Sequence, residues 1–337
     1  MSNLPPSEAP TCWVVTDGRV GIEAQALGLA EAIGRETPLA IVRKTVEVGS
    51  PWNRLPRQLW GDPFARVRPG GAQFEAPYPD IWIGCGRLSV PLTIAVKARS
   101  PRTFTVQIQD PRAPLNKFDL VIPPVHDRLI GPNVISIIGS PNRLPSANCV
   151  VKKPPNAAKK LAVLVGGPNR VFQFASKEAR DLGEQLRLLA DSGIELVVTT
   201  SRRTPADAVQ VLNQALRVER AAATTFWREG SRGSDPNPYP QMLADADATI
   251  VTEDSVNMAV EAASTGRPVY IWRLRRRPFA VAGKFDAFHE SLRARGAARF
   301  FDGRLEDWSY EPLNETAKAA KETLRRWRLS SSQARVR

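Results

Sequence analysis

The chain has 337 residues, 42% of them hydrophobic and 24% charged, a make-up that belongs to folded proteins and excludes fibrous and wholly disordered classes. Its length exceeds what one hydrophobic core usually fills, so two domains are expected. The net charge of +13 favours anionic partners such as phosphate-bearing ligands or acidic lipids, while three scattered cysteines (Cys12, Cys85, Cys149) and two histidines leave little for disulfide staples or a structural zinc site.

Residues 1–10 are polar and proline-rich and read as a disordered tail; they lack the basic flank and apolar run of a signal peptide. An apolar run at 12–16 leads into Asp17-Gly18-Arg19-Val20-Gly21, after which Ala26, Leu29, Ala30 and Ile33 recur at helical spacing over 22–34, giving strand, glycine turn and helix. Strands are predicted at 39–46, 81–86, 103–109, 120–123 and 134–138, with a helix at 90–98. The Trp- and Arg-rich tract 51–71 has little periodicity and reads as an irregular excursion. Alternating strands and helices imply a parallel sheet covered on both faces, so 11–140 is expected as a first domain.

From 141 to 160 the composition shifts to Pro, Asn, Ser, Ala and Lys, which is how a linker looks. The rhythm then restarts: strand 161–165, helix 177–191, strand 195–199, helix 206–216, a short helix 240–244, strand 248–252, helix 256–265 stopped by Gly266, and strand 268–272. These make a second α/β domain over 161–310, followed by a charged C-terminal helix within 311–329 and a disordered tail, 330–337. No stretch offers about 18 uninterrupted apolar residues, the length a spanning helix needs. The expected location is cytoplasmic, with peripheral attachment to the inner membrane open.

In open α/β sheets, ligands sit beyond the carboxyl ends of the strands, which directs attention to four turns. Ser255 stands as the N-cap of a helix whose first amides, at Val256, Asn257 and Met258, suit an anion such as a diphosphate, and Glu261 farther along that helix would accept hydrogen bonds from ribose hydroxyls. Read alone, these residues are an ordinary cap and a solvated carboxylate. Gly166-Gly167-Pro168-Asn169-Arg170 permits close backbone approach to phosphate and offers an arginine, without matching a full Rossmann or P-loop fingerprint. Ser201-Arg202-Arg203-Thr204 puts hydroxyls and two cations after another strand. In the first domain, Asp17 is a candidate general base, its plain role being to cap the following helix, and His126 is its rival.

As a set, Asp17-Gly18, Gln25, Gly28-Leu29-Ala30, Gln109-Asp110-Pro111-Arg112, His126-Asp127, the Gly166 turn, Thr200-Ser201-Arg202-Arg203-Thr204-Pro205 and Thr252-Glu253-Asp254-Ser255-Val256-Asn257-Met258 resemble the elongated-mitochondria family, named for a plant mitochondrial-fission factor and rich in bacterial members. The resemblance runs from about Trp13 to about Phe301. It implies two Rossmann-like doubly wound parallel-sheet domains of GT-B type with an interdomain cleft, and a donor nucleotide bound mainly by the second domain. By likeness to lipid-linked N-acetylglucosaminyl transferases and non-hydrolysing epimerases, the Ser255 turn would hold the diphosphate, Glu261 the ribose, and Gly166, Gly167 and Arg170 would flank the phosphates, with Ser201 and Arg202 nearby. The pattern is departed from at two places: Val256 and Asn257 replace customary glycines, and Gly21-Ile22 stands where many relatives have Gly-His.

The function expected on these grounds is a metal-independent glycosyltransferase that takes a nucleoside-diphosphate sugar as substrate, needs no cofactor, and acts on an acceptor that is lipid-linked or an envelope glycan. The alternatives are a non-catalytic adaptor that recruits a protein partner, and a sugar-nucleotide epimerase. Trp52, Arg54, Arg57 and Trp60, with Arg273, Arg275, Arg276 and Arg277, offer contacts to an anionic membrane surface. The basic residues are dispersed and no nucleic-acid-binding signature is present, so nucleic acid is not expected as a partner.

Overall fold

A computed structural model describes residues 9–56, 59–68, 73–144, 159–216, 224–228 and 238–336. The predicted N-terminal tail and most of the predicted linker lie outside the described residues. The chain divides into two compact units, one formed by Met1–Arg143 with Asn314–Arg337 and the other by Leu144–Leu313.

In the first unit, β1 (Thr11–Thr16), β2 (Ala40–Thr45), β3 (Ile81–Cys85), β4 (Phe104–Ile108) and β5 (Leu120–Ile122) form a parallel sheet ordered β2-β1-β3-β4-β5. The connections include α1 (Val20–Glu36) and α2 (Ser89–Arg99). Side-chain alternation along the strands feeds two separate cores, as a sheet covered on both faces requires. Cys12 and Val14 of β1, with Ile81, Ile83 and Cys85 of β3, pack against Ala26, Leu29, Ala30 and Ile33 of α1. Trp13, Val15 and Trp82 point the other way, toward Leu92 and Val96 of α2. That second core also takes in Trp60, fully buried, and Phe64, so the tract expected to be an irregular excursion anchors itself through its aromatic residues. Burial of a large apolar side chain is worth about 1.5–3 kcal/mol, which offsets the ordering of one or two residues around each aromatic.

The segment predicted as a strand at 134–138 instead makes isolated bridges, Val121 to Val134 and Pro124 to Ile137. The neighbouring chain runs into Pro123-Pro124, and proline has no N–H to continue a ladder.

In the second unit, β6 (Lys160–Val165), β7 (Glu195–Thr200), β8 (Thr224–Arg228), β9 (Ala248–Thr252), β10 (Val269–Trp272) and β11 (Ala298–Phe300) form a parallel sheet ordered β11-β10-β9-β6-β7-β8. Its helices are α3 (Ser176–Asp191), α4 (Ala206–Leu216), α5 (Tyr239–Asp245), α6 (Val256–Ala263) and α7 (Gly283–Ala294). Leu161, Val163 and Val165 of β6 pack with Leu182 and Leu186 of α3 and Leu212 of α4. Both units are therefore Rossmann-like doubly wound sheets, the domain type of the GT-B fold.

Beyond β11 and Leu313 the chain returns to the first unit. The last helix, α8 (Glu315–Val336), joins the α1 core through Ala319, Ala320 and Leu324, with Trp327 packed beside them. It extends past the predicted end, and the tail expected to be disordered from 330 is helical through Val336. Its first turn clamps the chain leaving β5: Ile138 N–H donates to Glu315 Oε2 (2.9 Å) and Asn142 N–H to Thr316 Oγ1 (3.0 Å). Gly28 lets Asn142 lie flat on α1, since a Cβ there would overlap the Asn142 carbonyl. Among the described residues, no helix is long and apolar enough to cross a membrane.

Candidate functional site

Each sheet has a topological switch point, where the chain reverses its direction of winding and leaves a crevice at the strand carboxyl ends. In the second unit it falls between β6 and β9, in the first between β1 and β3. The Gly166 and Ser255 turns follow β6 and β9; the Asp17 turn follows β1 and faces the Gly86 loop after β3.

In the second unit the three turns are tied together by side chains. Gly166 N–H donates to Thr252 Oγ1 (2.7 Å) and Gly167 N–H to Asp254 Oδ2 (2.9 Å). Arg203 places Nη2 on the same Asp254 oxygen (2.7 Å) and Nη1 on the Gly167 carbonyl (3.1 Å), while Thr204 Oγ1 donates to the Gly166 carbonyl. Arg203 N–H in turn donates to Ser201 Oγ (3.2 Å), and Ser201 is buried. Gly166 is required at its position because a Cβ would overlap the Asp254 carboxylate. Burial pushes the Asp254 carboxyl above the usual carboxylate range, opposed by Arg203 and the Gly167 N–H. Glu253, also raised by burial, accepts from Leu274 N–H (2.9 Å) and so ties the same turn to the chain after β10. The Thr252-Glu253-Asp254 run therefore works as a staple, and the amides of Gly166 and Gly167, the glycines expected to flank the phosphates, serve it.

The start of α6 lies at the same crevice. Ser255 occupies the N-cap with extended backbone (φ −109°, ψ 91°), is buried, and makes no side-chain capping bond. The first amides of a helix lack intrahelical partners, and the helix dipole adds positive potential there. Val256 and Asn257, in that first turn, are half-buried. Glu261 is held at its Oε2 by the Tyr239 hydroxyl (2.5 Å) from the start of α5. Arg170 and Arg202 are exposed beside their turns. Near them, Thr200 Oγ1 is buried with no hydrogen-bond partner among the described residues.

The first unit's switch point is arranged differently. Asp17 Oδ2 accepts from Arg19 Nε (2.9 Å) and ion-pairs with its Nη2 (2.7 Å), and Asp17 Oδ1 accepts from Arg19 N–H (3.3 Å). Asp17 does not cap α1, whose N-cap is Arg19, without a side-chain bond. Behind it, Gln25 Oε1 accepts from Gln109 Nε2 (3.0 Å) and from the Cys85 thiol (3.6 Å), which burial pushes well above its ordinary pKa. Gln109 sits at φ 71°, a left-handed conformation uncommon outside glycine and asparagine, at the carboxyl end of β4. His126 lies in a helical turn, Val125–Asp127, after β5. Three strand spacings separate the ends of β1 and β5, on the order of 14 Å, so the two candidate bases do not share one site.

What sequence reasoning did not read is that these residues lock the turns to one another: Asp254 and Thr252 on one side, Arg203 and Thr204 on the other, with Tyr239 behind Glu261. Their types were visible, but a lock across three separate turns has no local spacing signal. Among the described residues, no cluster of three or more His, Cys, Asp or Glu is arranged to hold a metal ion.

Comparison with known proteins adds the following. A family model described as mitochondrial fission ELM1 matches residues 20–327. The mitochondrial fission protein ELM1 of Arabidopsis thaliana is 33% identical over 284 residues, a match covering 73% of this chain and 64% of that protein, so the chain spans less than two thirds of this relative. An uncharacterized protein, RP120, of Rickettsia prowazekii (strain Madrid E) is 28% identical over 352 residues, covering 91% of this chain and 96% of its own length. Among solved structures, the UDP-GlcNAc 2-epimerase of Neisseria meningitidis bound to UDP-GlcNAc aligns with a TM-score of 0.50 at 8% identity, over 97% of this chain and 94% of that one; at that identity the likeness is one of fold.

Proposed function

Since the chain belongs to the mitochondrial fission ELM1 family and has Rossmann-like units of GT-B type, we propose that it binds a nucleoside-diphosphate sugar in its second unit and transfers the sugar, without a metal, to an acceptor. The observation that carries this reading is the buried, uncapped Ser255 at the head of α6, placed at the switch point between β6 and β9. There the helix N-terminus would receive the diphosphate, and Arg170 and Arg202, exposed beside it, would neutralise charge on the departing nucleotide. Glu261, oriented by Tyr239, would accept the ribose hydroxyls. The Asp254–Arg203 lock would hold the turns in register before the ligand arrives, which lowers the ordering cost of binding.

A non-catalytic adaptor is the second reading, and the Asp17–Arg19 pair favours it: a carboxylate already bound by an arginine is poorly placed to take a proton from an acceptor. Calorimetric titration with UDP, GDP and their sugars tests the binding step. Wild type should bind one of these series, and Glu261→Ala should weaken it by about tenfold, the loss of one good polar contact. Absence of binding across both series, or affinity unchanged in Glu261→Ala, defeats the donor-site reading. Binding without release of nucleotide from any sugar donor would select the adaptor.

A further inference from the structure

Between β10 and α7, residues 273–282 form an excursion whose tip carries Phe279, 104% exposed, and Val281, 87% exposed. The tip is a four-residue turn closed by Ala280 N–H to the Arg277 carbonyl (3.1 Å), with Pro278 second and Phe279 third at φ 60°. A positive φ at the third position of such a turn is where glycine or asparagine is customary, and a bulky residue there is a conformational outlier. The backbone is thus strained to present an aromatic ring that is fully exposed among the described residues.

The turn is also braced. Arg277 N–H donates to the Val171 carbonyl (2.7 Å), Arg277 Nε to the Asn169 carbonyl (2.8 Å), and Gln173 N–H to the Arg275 carbonyl (2.9 Å), an antiparallel pairing with the chain that continues from the Gly166 turn. Behind it Phe172 is fully buried edge-on to Phe285. Around the prong stand exposed cations: Arg275, Arg276 and Arg277 before it, Lys284 after it, and Arg170 from the bracing loop. Arg275 and Arg276 meet Glu178, Glu253 and Asp286, but among the described residues no carboxylate pairs with Arg170 or Arg277.

We propose that this tip is a membrane wedge, with Phe279 and Val281 entering the headgroup–acyl boundary of an anionic bilayer while Arg277, Arg170 and Lys284 meet lipid phosphates. A rigid apolar prong ringed by cations matches that interface in shape and charge. A stable protein partner would bury on the order of 800 Å² of surface on each side, more than two projecting side chains cover. The inference does not depend on sugar transfer. It does orient the second unit, because β6, β9 and β10 are parallel and the wedge leaves the same edge of the sheet as the Gly166 and Ser255 turns. The crevice would then open toward the lipid surface, where a lipid-borne acceptor resides.

Vesicle co-sedimentation of the full chain decides the matter. Wild type should pellet with phosphatidylcholine vesicles doped with phosphatidylglycerol and remain in the supernatant when the vesicles are pure phosphatidylcholine. Phe279→Ser/Val281→Ser should lower the partition coefficient by about tenfold or more, and Arg277→Gln by about fivefold. Because both apolar side chains are exposed, the thermal midpoint should stay at the wild-type value. Phe279→Gly, which also relieves the strained φ, should lose membrane binding without losing stability. Equal binding to neutral and anionic vesicles, no binding to either, or undiminished binding by the double variant overturns the wedge. None of these outcomes bears on nucleotide titrations, so the two proposals fail separately.

Discussion

At the scale of single residues, the second unit's crevice is governed by Gly166 and Asp254. The Asp254 carboxylate has no exposed side-chain surface, yet it gathers the Gly167 amide, Thr252 and Arg203 around itself, and the space that lets it do so is the missing side chain of Gly166. Gly166→Ala forces a methyl into that carboxylate, so it should cost about 1–3 kcal/mol, the usual range for overpacking a filled interior. It should also weaken nucleotide affinity, since the Gly166, Arg203 and Ser255 turns would lose their common register. Urea denaturation reads the first effect and calorimetry the second; an unchanged urea midpoint would show that the turns are slack and the lock is incidental. The sequence displayed the ingredients of this arrangement, because glycines, a threonine-flanked acidic run and paired arginines at strand ends are local features. It did not display their pairing. The same carboxylate in solvent would be one more polar turn residue, and only the order of strands around the switch point brings Asp254 and Arg203 together.

At the scale of elements, long periodic segments were legible and short or chemically mixed ones were not. The helix α1 follows from Ala26, Leu29, Ala30 and Ile33 at i, i+3, i+4 and i+7, and the buried central strands follow from unbroken apolar runs. The three-residue strand β11 is too short to carry a pattern, and the serines after Trp327 disguised the end of α8. Within the helix those serines turn back onto carbonyls of the preceding turn, Ser330 Oγ to the Trp327 carbonyl (2.8 Å) and Ser332 Oγ to that of Arg328 (2.5 Å). The same helix carries a pH-dependent support. Arg325, and with it Arg326, hydrogen-bonds Glu322 and holds its carboxyl down to about 2 against an ordinary 4.5. A carboxyl lowered by folding contributes stability that is complete above its ordinary value and is lost as pH falls through the lowered one. The pairs face solvent, which limits their worth to about 1 kcal/mol or less. Wild type should therefore exceed Glu322→Gln in urea stability at about pH 6 and lose that margin near about pH 2. A margin that stays constant across this range would mean that Glu322 acts through packing rather than charge.

At the scale of the whole molecule, the informative feature is that the chain enters the second unit after Arg143 and comes back after Leu313. Two domains were readable from length and from the restart of the strand–helix rhythm. The last helix was readable too, as a charged one, but nothing local to Ala319, Ala320, Leu324 and Trp327 says which sheet they cover. They close the first unit's core over α1, and they do so from 174 residues away along the chain in the Asn142–Thr316 contact. The two units should therefore differ as fragments. Residues 144–313 contain their own sheet and core and should fold alone, with a cooperative thermal transition. Residues 1–143 without 314–337 leave the α1 face of the core open and the segment after β5 unclamped, so they should resist folding until the missing segment is supplied as a separate peptide. In the intact chain Leu324→Ala should cost about 2–5 kcal/mol, as removal of a buried leucine does, and that loss should appear in the transition assigned to the first unit. If residues 1–143 fold with full stability on their own, α8 is a passenger on that surface; if they fold only with the peptide present, the last helix is an integral layer of the first domain.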